Sequence, residues 1–395
     1  MTMAAAIESR RAEGQAWSTA SRIAQIDVIN DLGIAEPIWR ALEDGTGVFT
    51  PYQRFDFLAA WQRQVGERQD VSPFIVVAYD AEWRPLLLLP LAMRHRRGVR
   101  IAAFMGDKHT TFNMALWDRA FASEADADDL EALVSKLSER TAVDVLALTQ
   151  QPARWQEMNN PFALIAHQPS VNTCPVLTMA PGTPSTIISN SFRRRLKGKE
   201  RKLEKLPGYR YRLASTDGEI TRLLDWFFRT KPLRMAEQKL PNVFGEPGVE
   251  DFIREACGAR LGGGRRAIDI HVLECDDEVI ALFAGVADIA RFSMMFNTYT
   301  MSAHSRYSPG LILIRNIVDH YAAQGFRTLD LGIGSDDYKR FFCKDDEAIF
   351  DCFVPLSDKG KLACAAISTL NRIKRFVKQN QALLGLAHRL RGALH

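Results

Sequence analysis

Apolar and polar positions along this chain follow two periods that alternate from segment to segment. Residues 23–28 read as a strand, residues 38–42 as helical, and residues 55–65 place Leu58, Trp61 and Val65 on one helical face. Residues 74–79 and 86–93 are apolar runs broken at Glu82, Trp83, Arg84 and Pro85, the pattern of a hairpin. Residues 129–137 are helical again, and 143–148 make a strand of buried type. The later part of the chain repeats this order. Residues 268–275 and 279–286 are apolar runs split by a turn at Asp276 and Asp277, and 292–301 form a third run. A helix follows. Pro309 suits its first position, Ser308 stands ready as its cap, Leu311, Ile314, Val318 and Tyr321 recur on one face, and Gly325 stops it. Leu329, Leu331 and Ile333 then alternate with Asp330, Gly332 and Gly334, the period of a strand. Strands, helix and strand thus occur twice, without a residue-level repeat. The fold class predicted is mixed α/β (α+β) in two tandem domains.

The segments between these elements set provisional boundaries. Residues 1–22 are rich in Ala, Ser and charge and read as a loose tail. Residues 175–184 are proline-rich and mark the break between a domain at 23–180 and a second at 181–357. Beyond the break, Asn190 or Ser191 caps a helix carrying Arg193, Arg194, Arg195, Lys197, Lys199, Arg201, Lys202 and Lys205. Glu200 and Glu204 thread this run, so a solvated face and an anionic partner are both open readings. Another helix covers 219–228, and Pro232 predicts that Lys231, Arg234, Glu237 and Gln238 lie in an irregular segment after it. Residues 358–395 form a basic, amphipathic helical tail, without an acid from Gly360 onward and with Leu370, Ile373 and Val377 on one side. Packing on the domain is the expected role of that side; a membrane surface or a partner such as a polysaccharide synthase is the other.

Composition narrows the function classes. At 395 residues and 47% hydrophobic, the chain is long enough for two cores. Its 51 basic and 47 acidic residues nearly cancel, which argues against a DNA-binding protein. Six cysteines lie far apart with no metal-type spacing, so buried thiols and no bound metal are expected. No apolar run reaches membrane-spanning length and no signal peptide is evident, so the chain reads as cytoplasmic, with association to a membrane as the tail's second reading.

Candidate chemistry gathers in three places. The helix opening at Arg306, Tyr307, Ser308, Pro309 and Gly310 points backbone N–H groups and a positive dipole end toward an anionic ligand. Lys231 and Arg234, three residues apart and followed by Gln238, are placed to hold a phosphate or carboxylate. The stretch from Asp330 to Lys339 combines two glycines that let a ligand approach the backbone with Asp330 as a further catalytic candidate, Asp336 or Asp337 as base, Tyr338 as proton donor and Lys339 facing an oxyanion. In the first half, the polar loop 106–113 offers His109 and Asn113 to the cleft between domains. No nucleophile elbow, P-loop, zinc-protease motif or dinucleotide fingerprint competes with these.

The run 229–355 resembles the C-terminal half of bacterial GNAT-like acyltransferases of the CelD/BcsL group. The resemblance rests on Thr230-Lys231-Pro232-Leu233-Arg234, on Tyr307-Ser308-Pro309-Gly310, and on Asp330 through Tyr338-Lys339. The arrangement is also similar to the Fem family of aminoacyl-tRNA-dependent transferases, in which two GNAT-like domains stand in tandem. The resemblance implies two GNAT-like domains, each a mixed, mainly antiparallel sheet flanked by helices. It also implies acetyl-CoA or another acyl-CoA as co-substrate, bound at residues 306–310, and a sugar or exopolysaccharide precursor as acceptor. In the Fem-like families an aromatic residue and a lysine stand where Tyr338 and Lys339 are. The pattern departs from ordinary GNAT enzymes at one point: Pro309 and Leu311 occupy the positions of the two small residues in their pyrophosphate loop. The rival readings are an aminoacyl-tRNA-dependent ligase and a non-catalytic adaptor of a polysaccharide synthase.

Overall fold

The computed structural model describes residues 21–179, 188–334 and 336–380. The first elements are β1 (Gln25–Ile29), α1 (Leu32–Asp44), α2 (Phe55–Trp61), β2 (Ser72–Tyr79), β3 (Pro85–Arg96), β4 (Val99–Phe104), α3 (Ala127–Arg140), β5 (Val145–Pro152), β6 (Gln168–Pro169) and β7 (Cys174–Thr178). After them come α4 (Asn190–Leu203), β8 (Arg210–Leu213), α5 (Asp217–Glu237), α6 (Val249–Gly258), β9 (Asp269–Glu274), β10 (Val279–Ala287) and β11 (Arg291–Tyr299). The remainder is α7 (Pro309–Ala323), β12 (Thr328–Asp330), β13 (Asp345–Glu347), β14 (Ile349–Pro355) and α8 (Asp358–Gln379).

Two large sheets organise these elements. The first runs β1-β2-β3-β4-β5-β14-β6, and the second β8-β9-β10-β11-β12-β7-β13. Neighbours are antiparallel except at one place in each sheet, β4 with β5 and β11 with β12. A parallel pair needs a crossover, and the helices α3 and α7 supply it. The fold is therefore a pair of mixed, mainly antiparallel sheets, with the strand and helix order that the two periods predict and the sheet type that the resemblance implies. The buried runs of β9 and β10 read as continuous rather than alternating because helices cover both faces of the sheet, α7 on one and α5 on the other.

The division of the chain is corrected by the pairing. Cys174–Thr178 does not close the first sheet; it pairs with β12 in the second, Val176 opposite Asp330. Conversely, Ile349–Pro355 leaves the second half and pairs with β5, with Pro355 opposite Val145. Each sheet thus takes a strand from the other half, and boundaries at 180 and 357 cut through both exchanges. A proline-rich stretch reads as a local break in regular structure, whereas the accepting edge is chosen by the sheet; residues 180–187 lie outside the described residues.

Three local expectations are also revised. α5 continues through Pro232 to Glu237, so Lys231 and Arg234 sit on a regular helix. Buried Phe227 and Met235 clamp it on both sides of the proline and offset the roughly 3 kcal/mol that an interior proline costs. The cap of α4 is Ser189, whose hydroxyl accepts from Phe192 N at 3.4 Å, not Asn190 or Ser191. Ser308 does not cap α7. Its backbone is left-handed, and its hydroxyl meets the Lys199 amine at 2.7 Å.

The chain leaves the first sheet through β14 and enters α8, where Gly360 rests on Asp144 at the start of β5. A Cβ at Gly360 would lie 1.8 Å from the Asp144 carbonyl oxygen. Gly360→Val therefore forces α8 off the sheet, and a loss of about 2 kcal/mol with a lowered Tm is expected in thermal unfolding.

Candidate active site

The site begins where two neighbouring strands part. β11 and β12 pair only from Arg291 opposite Thr328 to Ser293 opposite Asp330. β12 then ends, and Gly332 turns the chain with a φ of 74°. A Cβ there would lie 3.2 Å from the Met294 carbonyl, so the turn requires glycine both for its backbone and for this close approach. On its other side β11 carries a bulge. Phe296 faces Ala284 and Met294 faces Gly285, so Met295 has no partner on β10. The result is a cleft of about 490 Å³ beside Met294, Met295, Phe296 and Asn297.

Both halves of the chain build the walls. The loop after β12 contributes Leu331, Gly332, Ile333, Asp336, Tyr338 and Lys339, and α6 contributes Val249, Phe252 and Ile253. The first half contributes Lys108, His109, Thr110, Thr111 and Gln150. α6 is tied to α2 and the turn after it by Phe57 against Phe252, ring centroids 5.2 Å apart, and by Gln64 donating to Glu255 at 3.0 Å.

Beneath the cleft lies a buried ion-pair cluster. Asp330, fully buried, accepts from Arg291 Nε at 2.9 Å, Ser293 Oγ at 2.5 Å and Gly332 N at 3.1 Å. Arg291 also reaches Glu347 at 2.5 Å, and its guanidinium lies over the rings of Phe112 and Trp155 at 4.4 and 4.8 Å. Burial opposes the Arg291 charge, but Asp330 and Glu347 outweigh it and hold its pKa above the ordinary value. Asp330, predicted as catalytic, is corrected to a positioning residue: its oxygens are spent inside the protein, and it does not line the cleft.

The other predicted catalytic residues separate. The Lys339 amine, 3% exposed, donates to Gly332 O at 3.0 Å and Ile333 O at 2.9 Å and lies 3.4 Å from the Asp336 carboxylate. It braces the loop while lining the cleft. Tyr338 lines the cleft too; burial, with Asp336 adding to it, raises its pKa well above that of free tyrosine, so it stays protonated. Asp336 exposes its carboxylate at the same wall, whereas Asp337 opens an exposed turn and does not line it.

The predicted substrate residues divide as well. His109 lies in the cleft, and its Nδ1 takes the Trp61 indole N–H at 3.1 Å. Burial, and after it Lys108, lowers its pKa, so the ring is neutral and carries its proton on Nε2. Asn113 is buried, gives its amide to Thr149 O at 3.1 Å, accepts from Thr110 Oγ1 at 2.9 Å, and does not line the cleft; its assignment to substrate is corrected. Lys231 donates to Asn297 O at 3.0 Å, and burial, then Arg234, pushes its amine down to about 8. The Arg234 guanidinium lies 3.4 Å from the centroid of Tyr299, and Gln238 is exposed at the end of α5.

Residues 306–310 lie outside the cleft lining, at the far end of β11. Arg306 turns back onto Tyr307, donating to its hydroxyl at 3.0 Å. A Cβ on Gly310 would lie 3.4 Å from Tyr299, the ring that Arg234 covers. The mouth of α7 is thus flanked by Lys199 and Arg234.

Several lining residues were not singled out by sequence. Asn297 had a signal, a lone amide in the apolar run 292–301. Gln150, held at φ 60° with its N–H on Asp351 at 2.9 Å, had none. All six cysteines are buried and unpaired, and among the described residues no group of His, Cys, Asp and Glu is placed to hold a metal.

With this geometry in place, known proteins bear on it directly. Residues 190–340 match the family model of the acetyltransferase (GNAT) domain. That segment holds the part of the cleft wall from the second half, Lys199, Arg234 and the α7 mouth. By shape, the chain is similar to FemX, at 7% identity over 75% of this chain and 90% of that one, with a TM-score of 0.50. It is likewise similar to a conserved protein of unknown function from Bacteroides thetaiotaomicron, at 9% identity over 84% and 100% of the chains, TM-score 0.50. These likenesses show the fold. A search of curated protein sequences finds no match.

Two outcomes test the site's physics. Asp330→Ala leaves Arg291 charged and buried, and a loss of about 3–5 kcal/mol in urea unfolding is expected, against less than about 0.5 kcal/mol for exposed Asp336→Asn. Lys231 has a folded pKa below its unfolded one, so folding is penalised while the amine is charged. The penalty is full below pH 8 and fades as pH rises toward the unfolded value of 10.5. The stability of the wild type relative to Lys231→Met should therefore rise across that window, by up to about 3 kcal/mol in denaturation curves.

Proposed function

We propose that the protein is an acyltransferase that moves an acetyl group from acetyl-CoA to an amine or hydroxyl on a sugar or cell-envelope precursor. Within GNAT proteins, this follows the resemblance to the CelD/BcsL group. The observation that carries it is the cleft where β11 leaves β12, placed between an acidic residue, a protonated tyrosine and a neutral histidine, with cations at the neighbouring helix mouth. Lys199 and Arg234 flank that mouth and suit the phosphates of the coenzyme.

For an amine acceptor, the nitrogen attacks the thioester carbonyl, a C–N bond forms and the C–S bond breaks. Asp336 takes the proton that the nitrogen loses. Tyr338, protonated throughout, hydrogen-bonds the departing sulfur, and the thiolate then takes up a proton from solvent. His109 with its Nε2–H is a donor suited to the carbonyl oxygen as it gains charge. It is a poor base, because Trp61 already occupies its lone pair. Lys339 holds Gly332 and Ile333 in place and so keeps Asp336 and Tyr338 at the cleft.

A second reading, an aminoacyl-tRNA-dependent ligase, is favoured by the surface of α4, which exposes Arg194, Arg195, Lys197, Arg201 and Lys202 beside the α7 mouth. Besides Lys199 at the mouth, the remaining charges of that helix are structural: Arg193 pairs with Asp319 at 2.7 Å and buried Glu200 with Arg315 at 2.5 Å.

Calorimetric titration separates the two. Acetyl-CoA is expected to bind the wild type and to bind Gly310→Trp at least about tenfold more weakly, since the new ring fills the space before Tyr299. Asp336→Asn should keep that binding while kcat of acetyl transfer falls about 10²-fold. Absence of acetyl-CoA binding overturns the first reading, and protection of α4 by charged tRNA would then establish the second.

A further inference from the structure

α8 turns its apolar side away from the protein. Gly360 and Cys364 face the first sheet, Cys364 packing with Val145 and Ala147. At about 100° per residue, Leu362, Leu370, Ile373 and Phe376 fall on the opposite side of the helix. They are 77%, 51%, 55% and 63% exposed. A helix lying on a domain ordinarily shows the reverse pattern, with its apolar stripe against the core. Packing therefore accounts for the first turns of the tail and not for the stripe that was expected to pack.

Charge says what covers it. Arg372 and Lys374 are exposed along the flanks of the stripe, and Lys361, near its start, pairs with Asp358 at 2.7 Å. No Asp or Glu occurs from Lys359 to His395, and Arg389 and Arg391, outside the described residues, add to the positive charge of that stretch. We propose that α8 docks the protein on an anionic lipid bilayer, lying in the plane of the interface. The hydrocarbon boundary takes up Leu370, Ile373 and Phe376, and the lipid phosphates meet the flanking cations. Among the described residues no helix is long and apolar enough to cross a membrane, so the helix rests on the surface rather than spanning it. A second copy of the chain is a poorer occupant, because pairing two stripes at Leu370, Ile373 and Phe376 sets Arg372 and Lys374 against their like, and the acid of α8, Asp358, stands about three turns away beside Lys361. Arg375 and Lys378, on the side toward the protein, line a groove of about 830 Å³ whose wall includes Asn172, and Asn172 also lines the catalytic cleft.

Co-sedimentation with lipid vesicles tests this without any acyl-transfer assay. The full chain should sediment with vesicles of phosphatidylglycerol mixed into phosphatidylcholine at low salt and be released at high salt. It should bind phosphatidylcholine vesicles at least about tenfold less. Ile373→Glu with Phe376→Glu, two exposed positions whose change leaves the circular dichroism spectrum intact, should weaken binding at least about tenfold. Arg372→Glu with Lys374→Glu should weaken binding to the anionic vesicles alone. The proposal is overturned if the wild type ignores anionic vesicles, or if the Ile373 and Phe376 variant binds them equally well. It also falls if sedimentation shows a wild-type dimer that this variant makes monomeric. Acetyl-CoA titration of the same variant should match the wild type, so failure here and failure of the acyltransferase reading are distinguishable.

Discussion

The exchange of strands between the two sheets is the constraint on which everything else in this protein depends. β7 leaves the first half to pair with β12, and β14 leaves the second half to pair with β5. Neither sheet is complete without a strand from the other half, so the two cannot drift apart as tandem domains on a flexible linker can. The exchange also places the ends of β5, β7 and β12 close together. Gly334 N donates to Thr173 O at 3.1 Å, just before β7 begins, and Gln150 at the end of β5 lines the cleft with Ile333. A cleft walled from both halves is a direct consequence.

At the floor of that cleft, one buried ion pair organises the loop that carries the chemistry. Arg291 and Asp330 lie on adjacent strands, Arg291 where their pairing begins and Asp330 where it ends, and Asp330 also accepts from Gly332 N. That bond starts the turn which Lys339 then closes by donating to two carbonyls. Such a pair is costly to bury and costly to break. Its worth here is geometric, since it sets where β11 and β12 separate. Above it, burial keeps His109 neutral and draws the Lys231 amine toward neutrality, so Asp336 is left as the exposed charge on the β12 side of the wall.

How much was legible in the sequence varies with the range of the interaction. The β-β-β-α-β order, the hairpin at Asp276 and Asp277, and the clustering of Asp336, Tyr338 and Lys339 were readable, because each follows from neighbours in the chain. Asp330 was assigned a catalytic role because its alternation with Leu329 and Leu331 says nothing of an arginine on the next strand. Asn113 was given to the substrate because a polar loop looks the same whether its amide meets a ligand or Thr149. Pro232 looked like a helix break because the local cost is visible in sequence, and the packing of Phe227 and Met235 that offsets it is not. Gln150 left no trace at all, since its place in the cleft comes from a backbone turn held by Asp351 in a strand two hundred residues away.

By itself, the sequence determined the period of each segment and the order in which strands and helices follow one another in each half. It also determined an acid-free tail with apolar residues at helical spacing. These are properties of residues within a few turns of one another, where backbone geometry dictates which side chains share a face. Only the tertiary structure decided which sheet each of β7 and β14 joins, which of the charged groups are consumed in internal pairs, and which side of α8 faces outward. Those outcomes depend on edges, partners and burial supplied by distant segments, and no local pattern carries that information.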